Sequence, residues 1–236
     1  MRSFFSARGT RAPAWGVVWL VTLGSGCSRK PAEPAEPTAA QRAPVSAPST
    51  PSALGSARLG APAPDFELAD TEGQPVKLSS FRGKRVVIEW FNPGCPFVKA
   101  SHTKGSLVNS AARQQANGVV WLAINSAAPG KQGSGAEVNR EARATYNLQH
   151  PVLLDETGQV GRAYGAAHTP HMFVIDQNGI LVYRGAIDNS PDGEGESPSG
   201  GKLVNYVEAA LTDLGAGRAV STPETEAYGC TVKYGS

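Results

Sequence analysis

"RVVIEWFNPGCPFVK", residues 85 to 99, decides how this chain folds. Its first part, "RVVIEWF", is a short and nearly continuous apolar run, as expected of a central strand buried on both faces. Its second part sets Cys95 between Gly94 and Pro96, at the mouth of an expected helix. Pro96 suits the first helical position, because the N–H it lacks would be unpaired there anyway. Cys95 is then the N-cap. The N–H groups of Phe97 and Val98 and the positive end of the helix dipole both favour thiolate over thiol there. Such surroundings lower a cysteine pKa from about 8.5 into the range ~3.5–7.5. The competing reading is a small buried hydrophobe. Lys99, one turn on, either adds positive charge or faces water.

Outward from this junction the pattern is regular. "DFELADTEGQPVKL" (65–78) alternates about a turn at "TEGQ" and reads as a hairpin. One helix is expected over 96–116, then a second buried strand, "VVWLAIN" (119–125). A helix over 135–148, a strand "PVLLD" (151–155) and a short helix over 158–165 follow. "HMFVID" and "ILVYRGAI" flank "QNG", a hairpin signal. "KLVNYVEAALTDL" (202–214) carries a helical stripe at Leu203, Val204, Val207, Ala210, Leu211 and Leu214. The acidic stretch with Asp188, Asp192, Glu194 and Glu196 lacks a calcium-loop pattern and reads as a solvated turn. Strands alternating with helices predict an α/β fold, a central sheet flanked by helices and preceded by a hairpin.

Composition bounds the function. A net charge of +2 over 236 residues gives no argument for nucleic acid. With cysteine only at 27, 95 and 230, the fold rests on a hydrophobic core and not on a disulfide scaffold. Residues 1–27 read as an export signal: Arg2, Arg8 and Arg11, then "AWGVVWLVTLG", then "GSGC". This is similar to a bacterial lipoprotein signal, with Cys27 as the lipidated residue, although Gly24 stands where leucine is usual. The alternative is an ordinary cleaved signal. Residues 28–57 are Pro-, Ala- and Ser-rich and read as a disordered tether. A folded domain over 58–216 and a tail over 217–236 complete the plan. The expected location is exported and membrane-anchored, facing the periplasm, where a thiol pair stays oxidised.

The ordered series of strand, cysteine, helix, strand, helix, "HTPHMFVID", hairpin and helix resembles the thioredoxin fold. The opening "APAPDFELADTEGQPVKLSSFRGKRVVIEWF" resembles the redoxin group, which includes the alkyl-hydroperoxide-reductase/thiol-specific-antioxidant and TlpA-like proteins. The resemblance covers residues 58–216. It implies thiol-disulfide or peroxide chemistry with no cofactor, and as partners a thiol or disulfide protein or a small peroxide. It places the nucleophile at Cys95, a cis-proline at Pro170 with Thr169 and His171 beside the substrate, and a proton-handling carboxylate at Glu89. Pro96 completes the helix start. Three departures stand out. Val98 occupies the second position of Cys-x-x-Cys. Asn92 stands where peroxiredoxins carry threonine, and their activating arginine near Thr169, Pro170 and His171 is missing.

Two questions stay open in the residues. Glu89 acts as a proton carrier if it points inward, and is a strand-edge charge if it points outward. Cys230 is the one cysteine of the mature domain able to resolve an oxidised Cys95. Its rivals are a bystander role, an intermolecular crosslink, or an external thiol in its place. The chain has four histidines: His102, His150, His168 and His171. His102 lies two helical turns after Cys95. A rival function joins Cys95, His171 and Met172 as a copper-chaperone set. A third is a redox-inactive, partner-binding domain.

Overall fold

The computed structural model describes residues 55–236. The expected signal with Cys27, and the tether apart from residues 55–57, lie outside the described residues.

The hairpin β1 (Glu67–Asp70) and β2 (Pro75–Lys77) comes first, then β3 (Val86–Trp90). Helices α1 (Pro96–Thr103) and α2 (Ser110–Ala116) lead into β4 (Val120–Asn125). Next come α3 (Ala136–Thr145), β5 (Val152–Leu154) and α4 (Gln159–Tyr164). The short β6 (His168–Thr169), β7 (His171–Ile175), β8 (Leu181–Gly185), α5 (Tyr206–Gly215) and β9 (Cys230–Thr231) complete the series. Seven strands form one sheet in the order β2-β1-β5-β4-β3-β7-β8. β3 runs parallel to β4, and β4 to β5, while β7 is antiparallel to β3. This is a thioredoxin fold with an N-terminal hairpin, as the family resemblance implies.

β3 is central because every residue in it is apolar or takes a partner inside. Val86, Ile88 and Trp90 face one layer, with Phe66, Leu122, Tyr164 and Phe173. Val87 faces the other beneath Val207, Ala210 and Leu211 of α5, and Phe91 packs with Val98 of α1 and Ala142 of α3. Period-two alternation puts Glu89 on that second face.

Two expectations about helices need correction. The helix over 96–116 is two helices. Gly105 packs its bare Cα against the Gly193 carbonyl, too tightly for any side chain, and Asn109 takes a left-handed φ of 56°. Both features break the helix between Thr103 and Ser110. In the last helix, Leu203 and Val204 lie before the first turn. Asn205 caps that turn by accepting a hydrogen bond from the Glu208 N–H at 2.9 Å, and Val204 is 41% exposed.

Trp90 anchors the first layer. Its ring lies 5.4 Å from Tyr164 and 5.1 Å from Phe173, and its Nε1 donates to Ser126 Oγ at 3.0 Å. Trp90→Ala is expected to lower the unfolding free energy by about 3–5 kcal/mol. Urea unfolding followed by circular dichroism measures it, and a loss under ~1 kcal/mol contradicts the packing described.

Candidate active site

The loop from β3 to α1 is tied by Asn92. Its Oδ1 accepts from the Gly94 N–H at 2.8 Å, its Nδ2 donates to the Gln132 carbonyl at 2.9 Å, and its own carbonyl accepts from the Cys95 N–H at 3.0 Å. Asn-Pro-Gly is a turn signal in its own right. Asn92 therefore supports the loop that carries Cys95, a role that reading it only as a missing threonine overlooks.

Cys95 is the N-cap of α1, with φ −85° and ψ 123°, and Pro96 is the first helical residue. Its side chain closes no capping hydrogen bond with the first turn. The Val98 N–H still favours the thiolate without meeting hydrogen-bond geometry. Val98 itself is fully buried against Phe91, Ala142 and Val152. The second sulfur arrives from the tail instead. Cys230 Sγ lies 2.8 Å from Cys95 Sγ, and both are free thiols.

β9 brings it there. β9 pairs antiparallel with β6, with Cys230 opposite Thr169 and Thr231 opposite His168. Gly229, at φ 112°, passes so close to the Thr169 carbonyl that no Cβ fits. Further anchors hold the tail on either side. Tyr228 OH donates to Asp188 Oδ1 at 2.8 Å, and Thr225 Oγ1 accepts from the Ala186 N–H at 2.9 Å. Tyr234 OH donates to the Ala166 carbonyl at 2.8 Å, with Arg162 stacked over its ring at 4.6 Å. Asp188, expected in a solvated turn, is 1% exposed. It also accepts from Ser106 and from the Ser190 N–H, so it is a buried anchor for the strap. The strap leaves Cys95 only 1% exposed.

The two thiols differ. Burial opposes ionisation of Cys95 and is the largest single influence on it. The Cys230 thiol, the Val98 N–H, the Thr169 side chain and the Cys230 backbone together outweigh it and bring the pKa below the usual thiol value. The Thr169 carbonyl, 2.9 Å from Sγ, can only accept, so it limits that depression. Burial, then the contact with Cys95 and its charge, push Cys230 up to about 11.

Thr169 and Pro170 join the sulfurs, and their peptide bond is cis. His171 lies next to them but accepts from the Ala167 N–H at 3.4 Å and packs on Phe173. Met172 points to the opposite face, level with Glu89. Cys95, His171 and Met172 therefore do not converge, and among the described residues no group of three His, Cys, Asp or Glu side chains is placed to hold a metal. Lys99 faces water. Glu89 points inward, fully buried, with Oε1 on His102 Nε2 at 2.9 Å and Oε2 unpartnered. His102 stacks on Tyr146 with ring centroids 5.3 Å apart. Reading His102 by its spacing from Cys95 misses this partnership. The signal available was an acid on the strand facing a basic side chain on the helix that covers it.

The Redoxin family model matches residues 58–200. The chain belongs to the Redoxin family. Among relatives, the thiol-disulfide oxidoreductase ResA of Geobacillus thermodenitrificans is 33% identical over 51% of this chain and 65% of its own length. The chain thus spans just under two thirds of that redoxin. An uncharacterised conserved protein from Geobacillus kaustophilus is 31% identical, covers 75% of this chain and 93% of that one, and superposes with a TM-score of 0.65. A hypothetical protein from Sinorhizobium meliloti is 28% identical, over 77% and 97% of the two chains, also at a TM-score of 0.65.

Gly229→Ala is expected to slow Cys95–Cys230 disulfide closure in this redoxin by about tenfold or more. The strain of a side chain at that φ, ~1–3 kcal/mol, falls on the β6–β9 pairing. Quenched-flow alkylation during oxidation reads the rate, and wild-type closure contradicts the pairing. A second expectation concerns acid. Burial, ahead of nearby positive groups, lowers the pKa of His150 to about 3 and of His171 to about 4. The unfolded chain then binds more protons between those values and about 6.5, so stability falls as pH drops through that window. His150→Leu is expected to flatten part of the slope in urea titrations at pH 4 to 7, and an unchanged slope contradicts it.

Proposed function

We propose that this redoxin is a thiol-disulfide oxidoreductase that works through Cys95 and Cys230, with Cys95 the nucleophile and Cys230 the resolving thiol. The observation that carries the reading is the 2.8 Å contact between the two sulfurs at the cis-Pro170 loop. In the reductive direction the Cys95 thiolate attacks one sulfur of a partner disulfide. The partner's S–S bond breaks, one thiolate leaves, and a mixed disulfide forms on Cys95. Cys230 gives up its proton and attacks Cys95 Sγ. The second partner thiolate leaves, and a Cys95–Cys230 disulfide remains. Two electrons have moved from the protein to the partner, and a dithiol donor restores the reduced pair. Cys95 attacks first because more of it is thiolate at a given pH, and its lower pKa also makes it the better leaving group.

The remaining residues take supporting roles. Thr169, Pro170 and His171 form the edge on which a partner's thiol docks once the tail shifts, and Pro96 sets the helix start that orients Cys95. Glu89 takes up the proton released by Cys230. The partner class is a thiol or disulfide protein, reached outside the cytoplasm from a lipid anchor at Cys27. Small peroxides are the slower substrate. They would convert Cys95 to a sulfenate, which Cys230 condenses with as water leaves, but the threonine and arginine that orient peroxide are missing.

The test uses the reduced full chain and an aromatic disulfide that releases a coloured thiolate. Wild type is expected to release two thiolates per protein and end as the intramolecular disulfide. Cys230→Ser is expected to stop at one, with the adduct on Cys95 by mass spectrometry. Cys95→Ser is expected to lose about a hundredfold or more in rate. An adduct trapped on Cys230 in wild type, or full activity in Cys95→Ser, overturns the assignment.

A further inference from the structure

A second group of polar side chains lies beyond the sulfurs. A cavity with about 80 Å³ open to the centres of water molecules is walled by His102, Trp121, Tyr146 and His150. Its rim carries the exposed residues Asn109, Ala112, Asn147 and Gln149. About 10–15 Å³ of such volume admits one water, so there is room for several. Trp121 Nε1 and both ring nitrogens of His150 have no protein partner, although these residues are 1% and 0% exposed. Burial, with His102 and Arg143 nearby, keeps His150 neutral, its pKa near 3. A neutral imidazole offers one donor and one acceptor, and an indole offers one donor. A set with two donors and one acceptor suits water, which both donates and accepts. It does not suit an anion or an apolar guest.

His102 joins this cavity to Glu89. Its Nε2 holds Glu89 Oε1 at 2.9 Å, and its ring forms part of the cavity wall. Glu89 is flanked in the sheet by Ala123 and Met172. Among the described residues, His102 is the one hydrogen-bonding partner of its side chain.

We propose that the cavity holds a hydrogen-bonded water cluster, seated on Trp121 and His150, that carries protons between the Glu89–His102 pair and solvent. Trp121 and His150 are positioning residues for that cluster. The inference rests on Glu89 being the proton carrier of the exchange. When Cys230 is deprotonated, Glu89 takes the proton at its free Oε2 and passes the proton of its Oε1–Nε2 hydrogen bond to His102, which releases one from Nδ1 to the cluster. Re-reduction of the disulfide takes a proton back along the same path and restores the tautomer, so the relay is closed over a full cycle.

Water-selective nuclear Overhauser spectra of the full chain test the cluster directly. The Trp121 indole N–H is expected to show a water cross-peak. The Trp90 indole N–H, bonded to Ser126 Oγ at 3.0 Å, is expected to show none. Ala112→Trp, which caps the rim, is expected to weaken the Trp121 peak at least fivefold. Ala112→Trp and His150→Leu are both expected to slow dithiol exchange at least threefold and to raise its solvent deuterium isotope effect, with the thiolate titration of Cys95 unchanged. No Trp121 cross-peak, or wild-type rates and isotope effects in both variants, overturns the proposal. Glu89→Gln separates the two readings. If it slows exchange while the cavity variants do not, the relay falls and the role of Glu89 stands. If it leaves exchange at the wild-type rate, both fall.

Discussion

A two-residue antiparallel pairing, Cys230–Thr231 against His168–Thr169, holds the candidate active site together. Two residues of β-structure are far too short to stand alone. They persist because the anchors around them are strong. The Tyr228 hydroxyl on a buried carboxylate, Thr225 in the β8 turn and Tyr234 under Arg162 fix the strap on both sides of Gly229. A sulfur 135 positions away in the chain thus touches Cys95, while Val98 occupies the helix position three residues on.

That contact also makes the two thiols unequal. The two sulfurs lie 2.8 Å apart, and whatever stabilises the thiolate at Cys95 penalises it at Cys230. The helix start and the β6 edge both face Cys95, so the asymmetry has a fixed direction. The tail adds the opposite influence by desolvating Cys95, which leaves an ionisable but shielded thiol. In the proposed exchange, reactivity toward outside partners then depends on motion of the strap as well as on charge.

The sheet was legible because its strands carry the pattern burial demands. β3 and β4 are continuous apolar runs between turn residues, and the β1–β2 and β7–β8 hairpins carry Gly-containing turns. What escaped had no periodic signature. A two-residue strand is shorter than any hydrophobic period, so the tail could be read for its cysteine but not for its path. The break after Thr103 depends on Gly105 meeting Gly193 across 88 residues of chain, which no local window contains. Asp188 looked solvated because its neighbours are acidic, while its partner Tyr228 lies 40 residues on. Glu89 is instructive in a different way. Both faces of β3 are buried, so alternation alone could not say that its side chain turns toward α1, where His102 meets it.

The burial of Glu89 bears on why the interior around it is polar at all. A carboxylate at 0% exposure beside Ala123 and Met172 loses its hydration, and a single imidazole at 2.9 Å returns only part of it. Breaking such a pair is strongly destabilising, whereas replacing both partners with packed apolar residues is often neutral or better. Stability alone therefore gives no reason to keep Glu89, His102 and the unpaired nitrogens of His150 on one side of the sheet. The proton exchange proposed for Glu89 gives one. Proton transfer needs a hydrogen-bonded route, and a dry core around Glu89 would leave it without one. The strap keeps solvent off Cys95 while Cys230 stays part-exposed, and the far side of α1 offers the buried Glu89–His102 pair the contact with solvent that it otherwise lacks.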